Sequence, residues 1–333
     1  MSVRIGLLGA GFMGSTHAAA YSRITGARLV AIGDANVALA DNLAAQYGAR
    51  AYYSIDSLLA DPDVEAVDVC LPTFLHEQCV LGAARQGKHV FCEKPVALSL
   101  EQVDRMLAAV EAAGVMSMVG QVIRFWPEYV AIRDLFRRGD LGEVRAIHAL
   151  RLSPPPAWGN WFKDPARSGG AVLDLHVHDL DFIYWLCGLP KSVYAVGLQN
   201  EMGAWDHLDT SLTYPGACAL AQASFMMPDN YPFQMLFRLM GSAATVEYRF
   251  RVAGQVGERE QAETELVLYR PRRRPEPVPF EPGDAYEREL AYWMGCLESG
   301  RPPEQATLLQ AREVLRMALA ARRSLESGQP VAP

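Results

Sequence analysis

The chain has 333 residues, half of them hydrophobic and 21% charged, with a formal net charge of −7. This composition excludes a disordered chain and a disulfide-stapled miniprotein, and the length suggests about two domains. The acidic balance argues against nucleic acid as the principal ligand.

The six cysteines, Cys70, Cys79, Cys92, Cys187, Cys218 and Cys296, form no C-x-x-C pair, and no metal site is expected from them. The N-terminus lacks the charged leader, apolar core and cleavage site of a signal peptide. No apolar run reaches the roughly 18 residues needed to span a bilayer. A reduced, cytoplasmic protein with no membrane partner is expected.

The first third alternates strand and helix. Val3 to Gly9 is a short apolar run, followed by the loop Gly9-Ala10-Gly11-Phe12-Met13-Gly14 and a helix to about Ile24. Arg28 to Gly33 is a second strand closed by Asp34, and Asn36 can cap a helix over Val37 to Tyr47. Short strands follow at Ala51 to Tyr53, Ala66 to Leu71, His89 to Cys92 and Met116 to Gly120. Helices lie between them, around Leu58, at Leu75 to Arg85 and at Leu100 to Ala113. This order predicts right-handed crossovers and a doubly wound parallel sheet.

The remainder reads differently. A helix at Glu128 to Arg138 precedes strand-like runs at Val144 to Leu152, Val193 to Gln199, Thr210 to Tyr214, Ala219 to Met226, Gln234 to Met240, Ala244 to Phe250 and Glu265 to Tyr269. Consecutive strands without helices between them predict an antiparallel sheet, and two helices close the chain. The expected division is a dinucleotide-binding domain at 1–122 and a substrate-binding and oligomerisation domain at 123–333. Phe225-Met226-Met227 and Met235-Leu236-Phe237 are too apolar for a solvated sheet face, so a homodimer or homotetramer through that sheet is expected.

Three motifs carry chemistry. Gly9, Gly11, Phe12, Met13 and Gly14 sit between a strand and a helix. Glycines there permit a tight turn and close backbone approach to a pyrophosphate at the helix N-terminus. Asp34, twenty residues after Gly14, suits an adenosine ribose diol and would repel a 2′-phosphate, which favours NAD over NADP. Glu93-Lys94-Pro95 lies past the carboxyl end of a parallel strand, where open α/β sheets bind ligands. Pro95 holds Lys94 extended, and a lysine there could lower the pKa of a substrate hydroxyl. In the third motif, Gly169 to Asp181, a continuous helix would place Asp174, His178 and Asp181 on one face, with His178 as proton acceptor and Asp174 orienting it. His176 would lie about 160° away from His178 unless it sits in the helix's first turn. Ahead of this motif, Trp158-Gly159-Asn160-Trp161-Phe162 mixes aromatic faces with an amide. Asn160 and Trp161 there suit a sugar face as well as a packed loop.

The combination of GAGFMG, Asp34, Glu93-Lys94-Pro95 and GG-x-x-x-D-x-x-x-H-x-x-D resembles the Gfo/Idh/MocA oxidoreductases, relatives of glucose–fructose oxidoreductase and inositol dehydrogenase. The resemblance implies a Rossmann domain followed by an α/β domain with a large open, mainly antiparallel sheet. It implies NAD(P)-linked oxidation of a secondary alcohol of a sugar or cyclic polyol, with Lys94, Asp174 and His178 as the catalytic group. Leu71, Pro72, Thr73 and His76 would line the nicotinamide pocket beside Glu93 and Lys94, with Gln121 near the cofactor. Arg124 and Asp181 would meet the substrate, and His176, where many members have Gly, would add a contact. Two other readings stay open: transient oxidation and re-reduction of a sugar around an elimination or glycoside cleavage, and a non-enzymatic NAD-dependent sensor.

Overall fold

The computed structural model describes residues 2–156, 160–252 and 262–333. The chain forms two compact units, Met1–Phe125 with Gly283–Arg312, and Trp126–Pro282 with Glu313–Pro333. This differs from a single break after residue 122 in two respects: the first unit runs on to Phe125, and the segment Gly283–Arg312 belongs to it.

The first unit is built from β1 (Val3–Leu8), α1 (Phe12–Tyr21), β2 (Ala27–Gly33), α2 (Val37–Tyr47), β3 (Arg50–Tyr52), α3 (Ile55–Leu59), β4 (Ala66–Val69), α4 (His76–Arg85), β5 (His89–Glu93), α5 (Leu100–Ala113) and β6 (Ser117–Gly120). All six strands are parallel, in the order β3-β2-β1-β4-β5-β6. The order reverses between β1 and β4, where a doubly wound sheet opens its ligand crevice. Local chemistry sets the helix starts. The Asn36 side chain accepts the Ala38 N–H at the head of α2, and Ser99 forms a reciprocal capping box with Gln102 on α5. Helix α10 (Ala285–Ser299) joins this unit because Leu290, Trp293 and Met294 complete an apolar core with Ile5, Phe91 and Met118. Trp293 is fully enclosed, and burying a side chain of that size contributes roughly 3 kcal/mol.

The second unit contains α6 (Pro127–Arg137), β7 (Val144–Leu152), α7 (Pro165–Ser168), α8 (Gly170–Asp174), α9 (His176–Cys187), β8 (Ser192–Gln199), β9 (Trp205–Tyr214), β10 (Ala217–Ser224), β11 (Phe233–Gly241), β12 (Thr245–Val252), β13 (Glu263–Tyr269) and β14 (Glu276–Pro277). Its eight-stranded sheet runs β14-β13-β12-β11-β7-β10-β9-β8 and is antiparallel except for the parallel pair β7–β10. Helix α11 (Leu308–Ser327) begins in the first unit and ends in the second.

One sheet face lies against α9, where Phe182, Phe237 and Tyr129 stack edge to face. Strand alternation separates the apolar runs expected on the open face. Met235 and Phe237 are buried on the helix side, and Leu236 points the other way with Leu150, its cross-strand partner. Tyr194, Val196, Leu198, Leu220 and Met240 remain exposed. Among the described residues no helix is long and apolar enough to cross a membrane, and the six cysteines are free thiols.

Candidate active site

The first unit presents the glycine loop at the reversal point of its sheet. Gly9 has φ +100°, and a Cβ there would lie 2.4 Å from the Cys70 carbonyl oxygen. A Cβ on Gly14 would lie 1.8 Å from the Gly9 carbonyl oxygen, so the start of α1 packs on the loop only because that side chain is absent. A Cβ on Gly11 would meet nothing within 4 Å. These are the three demands of a dinucleotide turn: a tight bend, an open approach to the backbone, and close helix packing. The N-terminus of α1 has no side-chain cap, which leaves its first N–H groups directed outward beside exposed Phe12 and half-buried Met13.

Asp34 follows β2 and bridges two segments. One carboxylate oxygen accepts the Ala10 N–H at 2.8 Å and the other accepts the Asn36 N–H at 2.7 Å. Each oxygen keeps lone-pair capacity for a further donor, such as a ribose hydroxyl.

The ends of β4 and β5 form the rest of this half. Leu71 and Pro72 are half-buried and Thr73 is buried at the head of a 3₁₀ turn, Thr73–Leu75. His76 is enclosed, its Nε2 2.7 Å from the Leu71 carbonyl and its Nδ1 3.0 Å from the Pro95 carbonyl. It therefore ties the loop after β4 to the loop after β5. Burial pushes its pKa below the ordinary value, against the raising effect of those carbonyls. Lys94 is half-buried, and its N–H donates to Glu93 Oε2 at 2.8 Å. Gln121, after β6, is buried with no partner for its Oε1 among the described residues, an acceptor available to a polar ligand. Arg124 is enclosed rather than open, and it donates to Gln310 Oε1.

The glycine loop, the Asp34 carboxylate and the unpaired Gln121 oxygen fit a dinucleotide. They are the residues that would hold one.

In the second unit the third motif is not one helix. α8 ends at Asp174, Leu175 is a turn, and α9 starts at His176. The break lets α8 lie against β9 and α9 cross β7 and β10. Asp174 and His178 are therefore not related by one continuous turn, and only His178 and Asp181 share a regular helix. Asp174 and Asp181 are buried and His178 is half-buried.

His176 occupies the first turn of α9 and faces inward. Its Nε2 is 2.9 Å from Thr210 Oγ1, and it has no exposed surface. Burial, then the nearby Arg151 charge, lowers its pKa to about 3, so it is a neutral core residue rather than a presented substrate contact. Arg151 and Asp179 lie next to it as a buried forked pair with both N–O distances 3.0 Å. Trp161 and Phe162 stack toward Phe225 in an edge-to-face series, the packing arrangement for that segment. Trp158, Gly159 and the Asn160 side chain lie outside the described residues.

One cluster went unread in the sequence. His17 on α1, Asp68 on β4, Cys70 after it and Glu93 at the end of β5 meet inside the first unit. The ligand-type atoms of His17, Asp68 and Cys70 lie within 4.8 Å of one another, but they already bond each other as a closed network. Asp68 within the buried strand Ala66–Val69 was the available signal, because a charge in a buried parallel strand needs a partner.

A six-stranded parallel sheet with this loop, joined to a unit with an eight-stranded mainly antiparallel sheet, defines an NAD-binding oxidoreductase of the Rossmann type. The sequence matches the GFO/IDH/MocA model described as an oxidoreductase family with an NAD-binding Rossmann fold over residues 3–121, and the GFO/IDH/MocA C-terminal domain over 129–257. The chain belongs to the Gfo/Idh/MocA oxidoreductase family. It is 40% identical to inositol 2-dehydrogenase of Rhizobium meliloti (strain 1021) over 196 residues, a match that spans 59% of this chain and 58% of that relative. It is 30% identical to the uncharacterized oxidoreductase YrbE of Bacillus subtilis (strain 168), across 98% of this chain and 95% of that one. In fold it is similar to an aldose-aldose oxidoreductase from Caulobacter crescentus, with TM-score 0.86 over the full length of both chains at 24% identity.

Proposed function

We propose that this chain is an NAD-dependent dehydrogenase that oxidises a secondary alcohol of an inositol-like polyol or a sugar. The observation that carries the reading is Lys94, half-buried at the carboxyl end of β5 with its backbone held by Glu93. The inositol dehydrogenase relative supports the substrate class. When bound, NAD supplies the hydride acceptor. The residues of the chain do the rest. In the scheme that the motif resemblance implies, Lys94 donates to the alcohol oxygen and offsets its growing negative charge. In the same scheme His178 takes the hydroxyl proton and Asp181 binds a further hydroxyl. Asp34 would repel a 2′-phosphate, which supports a preference for NAD over NADP.

The test is Lys94→Ala and His178→Ala, assayed with NAD and myo-inositol. Each variant retains NAD binding and loses about 10²- to 10⁴-fold in turnover. Turnover like wild type in both variants overturns the scheme. NAD held by the wild-type protein with no net reduction across a sugar panel moves the chain to transient oxidation.

The open face of the second unit's sheet supports self-association of this chain. A Leu220→Glu, Leu236→Glu variant is expected to run as monomer in light scattering where the wild type is a dimer or tetramer.

A further inference from the structure

We infer that His17 is a positioning residue that fixes Lys94 through the carboxylate of Glu93. The inference rests on the reading of Lys94 as the group that meets the substrate oxygen. His17 sits on α1, the helix that opens at the glycine loop, and has no exposed surface. Its Nδ1 is hydrogen-bonded to Asp68 Oδ2 at 2.8 Å, and its Nε2 is 3.2 Å from Glu93 Oε1, an ion-pair distance without hydrogen-bond geometry. The same Glu93 carboxylate accepts the Lys94 N–H through its other oxygen, at 2.8 Å. On its remaining side, a Cβ on Gly120 would lie 2.9 Å from Glu93 Oε1. The carboxylate is thus boxed in, with one oxygen toward the imidazole and the other on the lysine backbone.

Charge explains why a histidine stands there. Tyr21 from α1, Cys70 from the end of β4, and Tyr286 and Glu289 from α10 also face this cluster. Asp68 and Glu93 are buried on either side of the imidazole, and an imidazolium there offsets carboxylate charge that burial would otherwise make costly. Burial alone would depress the pKa of His17, but the Asp68 carboxylate bonded to its Nδ1 raises it above 6.5. A neutral side chain at position 17 would leave Asp68 and Glu93 repelling each other. Glu93 would then shift, and Lys94 would lose its anchor.

The test uses His17→Gln and Glu93→Gln, which cut the link from either side with little change in volume. Both are expected to fold and to bind NAD within about threefold of wild type, while kcat for myo-inositol falls about 100-fold with KM little changed, the effect of misplacing a catalytic group by about 1 Å. The two losses are equal and do not add in the double variant. His17→Gln adds nothing to Lys94→Ala. Hydrogen exchange supplies a readout without substrate: the peptide carrying the Lys94 amide exchanges about tenfold faster in His17→Gln, and the strands of the parallel sheet keep their protection.

Faster exchange across the whole unit, with kcat per NAD-binding site unchanged, makes His17 a structural residue only and overturns the inference. So does full additivity with Lys94→Ala. If Lys94→Ala keeps wild-type turnover, the dehydrogenase scheme falls while the exchange measurement still decides whether His17 holds the Lys94 backbone. Should His17→Gln fail to fold, Glu93→Gln decides on the same readouts.

Discussion

His17 in the first unit and His176 in the second are both enclosed, and their pKa values are shifted in opposite directions. His17 lies among carboxylates and is charged, whereas His176 lies beside Arg151 and is neutral. Burial lowers the pKa of both; the carboxylate beside His17 reverses that effect, whereas the Arg151 charge beside His176 adds to it. In the first unit the buried cation organises groups that face the dinucleotide loop and Lys94. In the second, the cation is Arg151, its charge is spent on Asp179, and the histidine only fills and bonds the core.

That contrast can be broken most severely at Arg151. Arg151→Met leaves Asp179 buried without its partner and is expected to cost about 3–5 kcal/mol of stability, measured by urea unfolding. Adding Asp179→Leu should recover most of it. The same Arg151→Met change removes the charge that repels a proton from His176, and its pKa should rise in imidazole NMR titration.

A smaller effect separates the two histidines by pH. The folded-state pKa of His176 lies below its unfolded value, so the folded state resists protonation. Its contribution is complete above about pH 6.5 and is lost as pH falls toward 3, amounting to about 2 kcal/mol at pH 5. His17 has the reverse sign: its contribution is complete below about pH 6.5 and is lost as pH rises through its elevated pKa. Urea unfolding between pH 5 and 8 should show a flatter acid limb in His176→Gln than in wild type. An acid limb unchanged by that substitution would remove His176 from the account. The smallest change is Thr210→Val, which removes the hydroxyl bonded to His176 Nε2. It is expected to cost about 1 kcal/mol in the same assay.

The sequence made the first unit legible where its signals are local. Gly9, Gly11 and Gly14 take the three roles that their spacing implies, and Val37–Tyr47 and Leu100–Ala113 begin and end as their caps and periodicity predict. The cluster around His17 was not legible, because Asp68 and Glu93 reach it only when β4 and β5 pair beside β1. The placing of α10 in the first unit is hidden for the same reason, since its core partners, from Ile5 to Met118, lie in the first third or so of the chain. At Leu175 neither Gly nor Pro marks the break, so the run from Asp174 to Asp181 reads as one helix. Packing against different strands interrupts it. On the sheet of the second unit the apolar runs were visible, but only the register shows that Met235 and Phe237 face inward while Leu236 does not.

Asp34 carries a consequence for cofactor engineering. Converting such a protein to accept a phosphorylated ribose ordinarily begins by replacing this acid with a small or basic residue. Here the carboxylate also clasps the Ala10 and Asn36 amides, joining the phosphate loop to the entrance of α2. Simple replacement would cut both links. Asn at position 34 would keep an acceptor for only one of those two amides, so a redesign has to supply the second link as well as a cation at position 35 or 36.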